Sequence, residues 1–110
     1  MTLNEIILAA ARANANTKIS EIDVHIKKFG GIYNSWYVGI SDDPKRRLFQ
    51  EHLIIEDKDI WIWTRCQSSL SARLVEDYFV NRLVTDGGVG GGDGNSTYVY
   101  AYRKTSTSRP

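Results

Sequence analysis

The sequence predicts an α+β fold, a small antiparallel sheet of about three strands with helices packed on it. Three short aromatic and β-branched segments begin at Trp36, Ile60 and Thr97. Between and before them lie stretches whose apolar residues recur at helical spacing. Glycine, proline and hydroxyl or carboxamide capping signals separate the two kinds of segment. At 110 residues, with 42% hydrophobic and 25% charged side chains, the chain has the makings of one domain and one modest core.

Thr2-Leu3-Asn4-Glu5 has the form of a capping box, and Leu3, Ile6, Ile7 and Ala10 follow as an apolar stripe. This helix is expected to fade at Ala13-Asn14-Ala15-Asn16, where asparagine competes with the helical backbone. Ser20 then starts a second short helix with Ile22, Ile26 and Phe29 on its apolar side, and Gly30-Gly31 stops it. Trp36 to Ile40 reads as the first strand. Ser41-Asp42-Asp43-Pro44 opens a helix that runs to about His52.

Ile60 to Cys66 is the clearest strand. Ser68 or Ser69 caps the next helix, from Leu70 to about Val84, with a wide stripe of Leu70, Leu74, Val75, Tyr78, Phe79 and Leu83. Asp86 to Asn95 holds six glycines and is neither helix nor ordinary strand. Its successive N–H groups could nest an anion, or it is simply a connection; Asp86 and Asp93 are spare carboxylates there. Thr97 to Tyr102 forms the last strand, and Arg103 to Pro110 is expected to be a frayed polar tail.

The bulk properties exclude several classes. A net charge of +1 gives no global attraction to nucleic acid, although 14 Lys and Arg can still cluster locally. The single Cys66 rules out an internal disulfide and has no zinc-ligand spacing around it. No apolar run nears the roughly 20 residues of a membrane-spanning helix, so no membrane partner is expected. The start lacks a basic leader region, and the expected location is cytoplasmic.

Four residues on successive elements could carry chemistry together. Tyr37 lies on a strand in Tyr37-Val38-Gly39-Ile40, and Arg47 follows ten residues later on a helix. His52 comes five residues after Arg47, one more than a single turn, and Ala72 precedes Glu76 by four residues on a later helix. This ordered set resembles the GIY-YIG nucleases. The resemblance covers Tyr37 to about Tyr102 and implies a single GIY-YIG-like domain over 1–110, with an N-terminal helical extension of about 1–30.

It also implies a divergent Mg²⁺-dependent DNA endonuclease that hydrolyses phosphodiester bonds. Tyr37, Arg47, His52 and Glu76 would be catalytic, with Glu76 the metal ligand. Lys45, Arg46 and Asn95 would contact substrate. The chemistry is coherent: one carboxylate holds a hydrated Mg²⁺, and Arg47 grips the phosphate through its planar fork. Tyr37 orients or deprotonates water, and His52 assists proton transfer. DNA is the expected partner, RNA is also accommodated, and a homodimer or protein partner stays open.

Each residue also has an ordinary reading. Tyr37 is a sheet aromatic, Lys45-Arg46-Arg47 a solvated helix face, His52 a helix-end group, and Glu76 a surface carboxylate. One departure bears on the choice. The family's first strand, Gly-Ile-Tyr, normally forms a hairpin with the second and carries a tyrosine often assigned as general base. Here Gly31-Ile32-Tyr33 ends only four residues before Tyr37, too close for a hairpin. The first strand is therefore expected to be missing or replaced by the N-terminal helices. The alternative is a catalytically inactive module of the same fold that binds nucleic acid or a protein.

Overall fold

A computed structural model of the protein describes residues 1–88 and 94–110. The centre of the glycine-rich segment, and with it Asp93 and most of the expected anion nest, lies outside the described residues. The fold is α+β: three helices and an open three-stranded antiparallel sheet.

Helix α1 spans Leu3–Lys28 without a break, where the sequence predicts two helices. Tertiary contacts explain the difference. Asn14 does not compete with the helix, because its side-chain oxygen accepts from Gln67 N–H at 2.9 Å. Ala11 and Ala15 are buried, and the Ala11 carbonyl accepts from the Ser71 hydroxyl at 3.0 Å. Ser20 therefore sits inside the helix instead of capping one. Thr2 caps the N-terminus as expected, its hydroxyl accepting from Glu5 N–H. At the other end Gly31 N–H reaches Ile26 C=O at 2.9 Å, and Gly30 and Gly31 take φ of 107° and 70°. The predicted stripe of Leu3, Ile6, Ile7 and Ala10 is exposed.

Gly31 and Ile32 are not strand, and Tyr33–Ser35 is a single 3₁₀ turn. The Tyr33 hydroxyl donates to Asp23 Oδ1 on α1 at 2.6 Å. Strand β1 covers Trp36–Ser41. Asp43 then caps the next helix, its carboxylate accepting from Arg46 N–H. This helix, α2, is π-wound over Arg46–Glu51 and closes with His52 N–H on Arg47 C=O at 2.8 Å. Strand β2 is Trp61–Arg65. Helix α3, Ser69–Asp77, is capped by Ser68 and continues as a π-wound turn over Tyr78–Arg82. Strand β3 is Tyr98–Arg103.

The sheet order is β1-β3-β2, with β3 antiparallel to both neighbours. Pleating sends alternate residues to opposite faces. Trp36, Val38, Ile40, Val99 and Ala101 pack against Ile22 and Ile26 of α1 and Ala72, Val75 and Phe79 of the α3 segment. Tyr37, Tyr100 and Tyr102 face the other way, onto Leu48 of α2 and Ile54. Leu70 of the predicted α3 stripe stays exposed. The outer edge of β1 is not open either: Val38 N–H donates to Asp86 C=O, and Asp86 N–H donates to Trp36 C=O.

The C-terminal tail is not frayed. Thr105 and Ser108 close a tight turn through their hydroxyls, and Arg109 N–H donates to His52 C=O at 2.9 Å. The polar residues that read as a loose end are turn formers that fold the chain back onto β3. No helix among the described residues is long and apolar enough to cross a membrane.

Candidate functional site

Antiparallel register places Tyr37 opposite Tyr102 and Gly39 opposite Tyr100. The Tyr37 and Tyr102 rings stack at 5.1 Å with a 14° tilt. His52 closes the cluster from the end of α2, its ring 4.7 Å from that of Tyr37. Gly39 makes the arrangement possible, because a Cβ there would lie 2.5 Å from the Tyr100 hydroxyl oxygen. The side chain of Tyr100 thus crosses β1 where β1 has no side chain.

The hydrogen bonds of His52 fix its protonation. Nδ1 lies 2.6 Å from the Arg109 carbonyl oxygen, which can only accept, so Nδ1 carries the proton. Nε2 lies 2.7 Å from the Tyr100 hydroxyl, and in the neutral ring it accepts from it. The Tyr102 hydroxyl donates to the same Arg109 carbonyl at 3.1 Å. Burial lowers the pKa of His52 below its ordinary value; Arg109 opposes that shift and Arg47 adds to it. His52 is therefore a neutral, two-sided link and not a cation offsetting the helix end.

Arg47 lies on α2 beside this link, its guanidinium carbon 6.0 Å from the centre of the Tyr100 ring. Burial works against its charge, but its contact with Tyr100 and the nearby Glu51 outweigh that, and its pKa stays high. Arg47 Nε is buried without a hydrogen-bond partner among the described residues, 3.8 Å from Glu51 Oε1.

Glu76 comes from α3, on the other face of the sheet. Its Oε1 is 3.8 Å from Arg73 Nη1, while Oε2 is buried with no hydrogen-bond partner among the described residues. Burial pushes its pKa up, partly offset by Arg73. Glu76 also borders a cavity of about 460 Å³ with Asp77, Val80, Gly87 and Gly88.

Tyr37 is where these charges meet. Burial raises its pKa; Arg47 lowers it, while Asp86 and Glu76 raise it further. The backbone of Gly88 bonds to its hydroxyl, and a Cβ at Gly88 would lie 2.7 Å from that oxygen. Tyr37 is 5% exposed, so it enters as a neutral phenol.

The structure thus places Tyr37, Arg47 and His52 on one face of the sheet and Glu76 on the other, with Gly88 both lining the cavity that Glu76 borders and lying against the Tyr37 hydroxyl. It does not gather the three expected substrate contacts with them. Arg46 pairs with Asp42 and Glu51, each at 3.7 Å. Lys45 is exposed beside Pro44, Trp63 and Tyr98, toward the far end of the sheet. Asn95 precedes Tyr98, which pairs with Ser41, so the register puts it at the end opposite the Tyr37–Tyr102 pair.

Sequence reasoning missed the Arg109 carbonyl and the hydrogen-bonding roles of Tyr100 and Tyr102, whereas the glycine-rich backbone beside Glu76 was singled out. The alternation of Tyr98, Tyr100 and Tyr102 was the available signal, but only the strand order tells which strand they lie against. Among the described residues no group of three or more His, Cys, Asp or Glu side chains gathers as a metal cage. No protein-family model, curated protein or solved structure matches this chain.

Proposed function

We propose that the protein is a divergent GIY-YIG-type, Mg²⁺-dependent DNA endonuclease in which the motif's first strand is supplied from the other end of the chain. The sequence has no room for that strand ahead of β1. Strand β3 lies antiparallel to β1 and sets Tyr100 against Gly39, with its hydroxyl between His52 and Arg47. In this reading Tyr98-Val99-Tyr100 takes the place of Gly-Ile-Tyr in the sheet, with Tyr100 holding Arg47 and not acting as a base.

One observation carries the reading. Arg47 and Glu76, on helices at opposite faces of the sheet, both bear on the pKa of Tyr37, and each keeps a buried polar atom without a hydrogen-bond partner among the described residues. Such orphans are rare in folded proteins, and a charged ligand would satisfy both. A phosphodiester accepts from the Arg47 fork. Glu76 Oε2 suits a divalent cation that keeps most of its waters, since a single carboxylate suffices for Mg²⁺ and no cage is needed. The ion would neutralise phosphate charge and make water easier to ionise. Tyr37 would orient the attacking water, while His52 and Tyr100 hold Arg47 in place.

Purified protein incubated with duplex DNA, single-stranded DNA and RNA, with and without Mg²⁺, tests this. Cleavage should require Mg²⁺ and fall by about 10²–10³ in Arg47→Ala and in Glu76→Gln. Equal cleavage by wild type and both variants would overturn the site.

A second reading is favoured by the burial of Tyr37, His52 and Tyr100, at 5%, 2% and 0% exposure. In it the cluster is structural and the protein is a non-catalytic binding module. Salt-dependent binding of DNA with no cleavage of any substrate would support it.

A further inference from the structure

We infer that the C-terminal tail is a working part of the site: the Arg109 carbonyl orients His52, His52 orients the Tyr100 hydroxyl, and Tyr100 positions Arg47. This inference rests on the proposed role of Arg47 as the phosphate-gripping group. Its links are separate contacts. Arg109 and His52 bond twice, N–H to carbonyl at 2.9 Å and Nδ1 to carbonyl at 2.6 Å, which pins backbone and ring together. The Tyr102 hydroxyl takes the remaining lone pair of the Arg109 carbonyl, so that oxygen is fully used.

With its proton held on Nδ1, His52 offers Tyr100 only a lone pair at Nε2. The Tyr100 hydroxyl must then point its hydrogen at His52, which keeps its own lone pairs free, and the Arg47 guanidinium lies beside that ring, its carbon 6.0 Å from the ring centre. Reversing the histidine tautomer would set two lone pairs against each other at Arg109 and aim the Tyr100 hydrogen at a cation. The tail thus decides, through two rings, which way Tyr100 faces Arg47. His52 and Tyr100 are positioning residues here; neither needs to touch substrate, which agrees with their complete burial.

The full-length protein, without substrate, gives the first test. Nitrogen NMR of His52 should find the neutral ring protonated on Nδ1; protonation on Nε2 would overturn the inference. The second test follows hydrogen exchange of the Arg47 guanidinium N–H groups. It should quicken by about tenfold or more in Tyr100→Phe and in a chain ending at Lys104, with circular dichroism unchanged. Unchanged exchange in Tyr100→Phe would overturn the inference even if the shortened chain fails to fold. The third test is binding of a dinucleoside monophosphate. Tyr100→Phe and Arg47→Lys should each weaken it, and the double variant should be no worse than the poorer single one. Additive losses would mean that Tyr100 does not act through Arg47. A wild type that ignores the dinucleotide would sink the phosphate role of Arg47, and with it the proposed function, while the two substrate-free tests still decide whether the tail orients His52 and Tyr100.

Discussion

Gly39 and Tyr100 face each other across the β1–β3 ladder, and the Tyr100 hydroxyl occupies the space a side chain at position 39 would need. An added Cβ would meet the oxygen at 2.5 Å and Cζ at 2.6 Å, and the ring, pinned by His52, cannot swing away cheaply. Gly39→Ala should therefore cost about 1–3 kcal/mol, the usual range for overpacking a tight core. Urea unfolding measures the loss. Tyr100→Leu made together with Gly39→Ala should recover part of it, because the clash is with the ring and not with backbone. A neutral Gly39→Ala would mean that Tyr100 does not lie across β1.

The features that were legible in the sequence are local ones. Thr2 and Ser68 cap helices because their hydroxyls sit three residues before a free N–H, and spacing alone reveals that. The three strands announce themselves through aromatic and β-branched runs, and Gly30-Gly31 through the left-handed backbone of a helix end. What escaped was decided by partners distant in sequence. Asn14 stays helical because Gln67 engages its side chain, and the tail is ordered because His52 receives it. Likewise Tyr100 enters the site only because β3 inserts between β1 and β2, which no periodicity encodes.

Glu76 should cost the fold stability while it serves the site. Burial raises its pKa, so the native state binds its proton more tightly than the unfolded chain, and ionisation at neutral pH is unfavourable to folding. Glu76→Gln should unfold at higher urea than wild type, by roughly 0.5–2 kcal/mol, the range seen when one unfavourable site is relieved. Mg²⁺ should raise the melting temperature of wild type and leave Glu76→Gln unmoved, because only the carboxylate ligates the ion. A Glu76→Gln protein less stable than wild type would contradict this account of the carboxylate.

The helices either side of the site end in the same unusual way. After α2, His52 N–H bonds to Arg47 C=O, Leu53 takes φ of 59°, and Ile54 N–H bonds to Leu48 C=O. After the α3 segment, Leu83, Val84 at φ 61° and Thr85 repeat the pattern with Tyr78 and Phe79. Left-handed backbone at a β-branched residue is strained by about 1–2 kcal/mol. Val84 is 65% exposed, so replacing it loses little packing. Val84→Asn should stabilise the protein by about 1 kcal/mol in urea unfolding. No gain would mean that the left-handed turn at Val84 is absent.

Both histidines are held neutral by the fold, and this sets the acid limit of stability. Burial lowers the pKa of His52 and of His25 below the ordinary value of 6.5; Arg47 adds to the first shift and Lys28 to the second. Below pH 6.5 the unfolded chain takes up protons that the native chain refuses, so stability is fully present above that pH. It then declines as pH falls toward the folded pKa values, by at most about 1.4 kcal/mol per pH unit for each histidine. The two sites lie on opposite sides of the sheet, His25 against Trp36 and Phe29, and His52 against Tyr37 and Tyr102. Their contributions should therefore separate. His25→Gln should remove one share of the slope between pH 6.5 and 5, and leave the His52 share in place. Glu76 works in the opposite sense, gaining stability as pH falls through its raised folded pKa toward 4.5, so the Glu76→Gln background isolates the histidine slope. Protonation of His52 also turns Nε2 into a donor and forces the Tyr100 hydrogen off it. Phosphodiester cleavage should accordingly fall with the His52 titration and not with that of His25, a difference that pH-rate profiles of wild type and His25→Gln would measure.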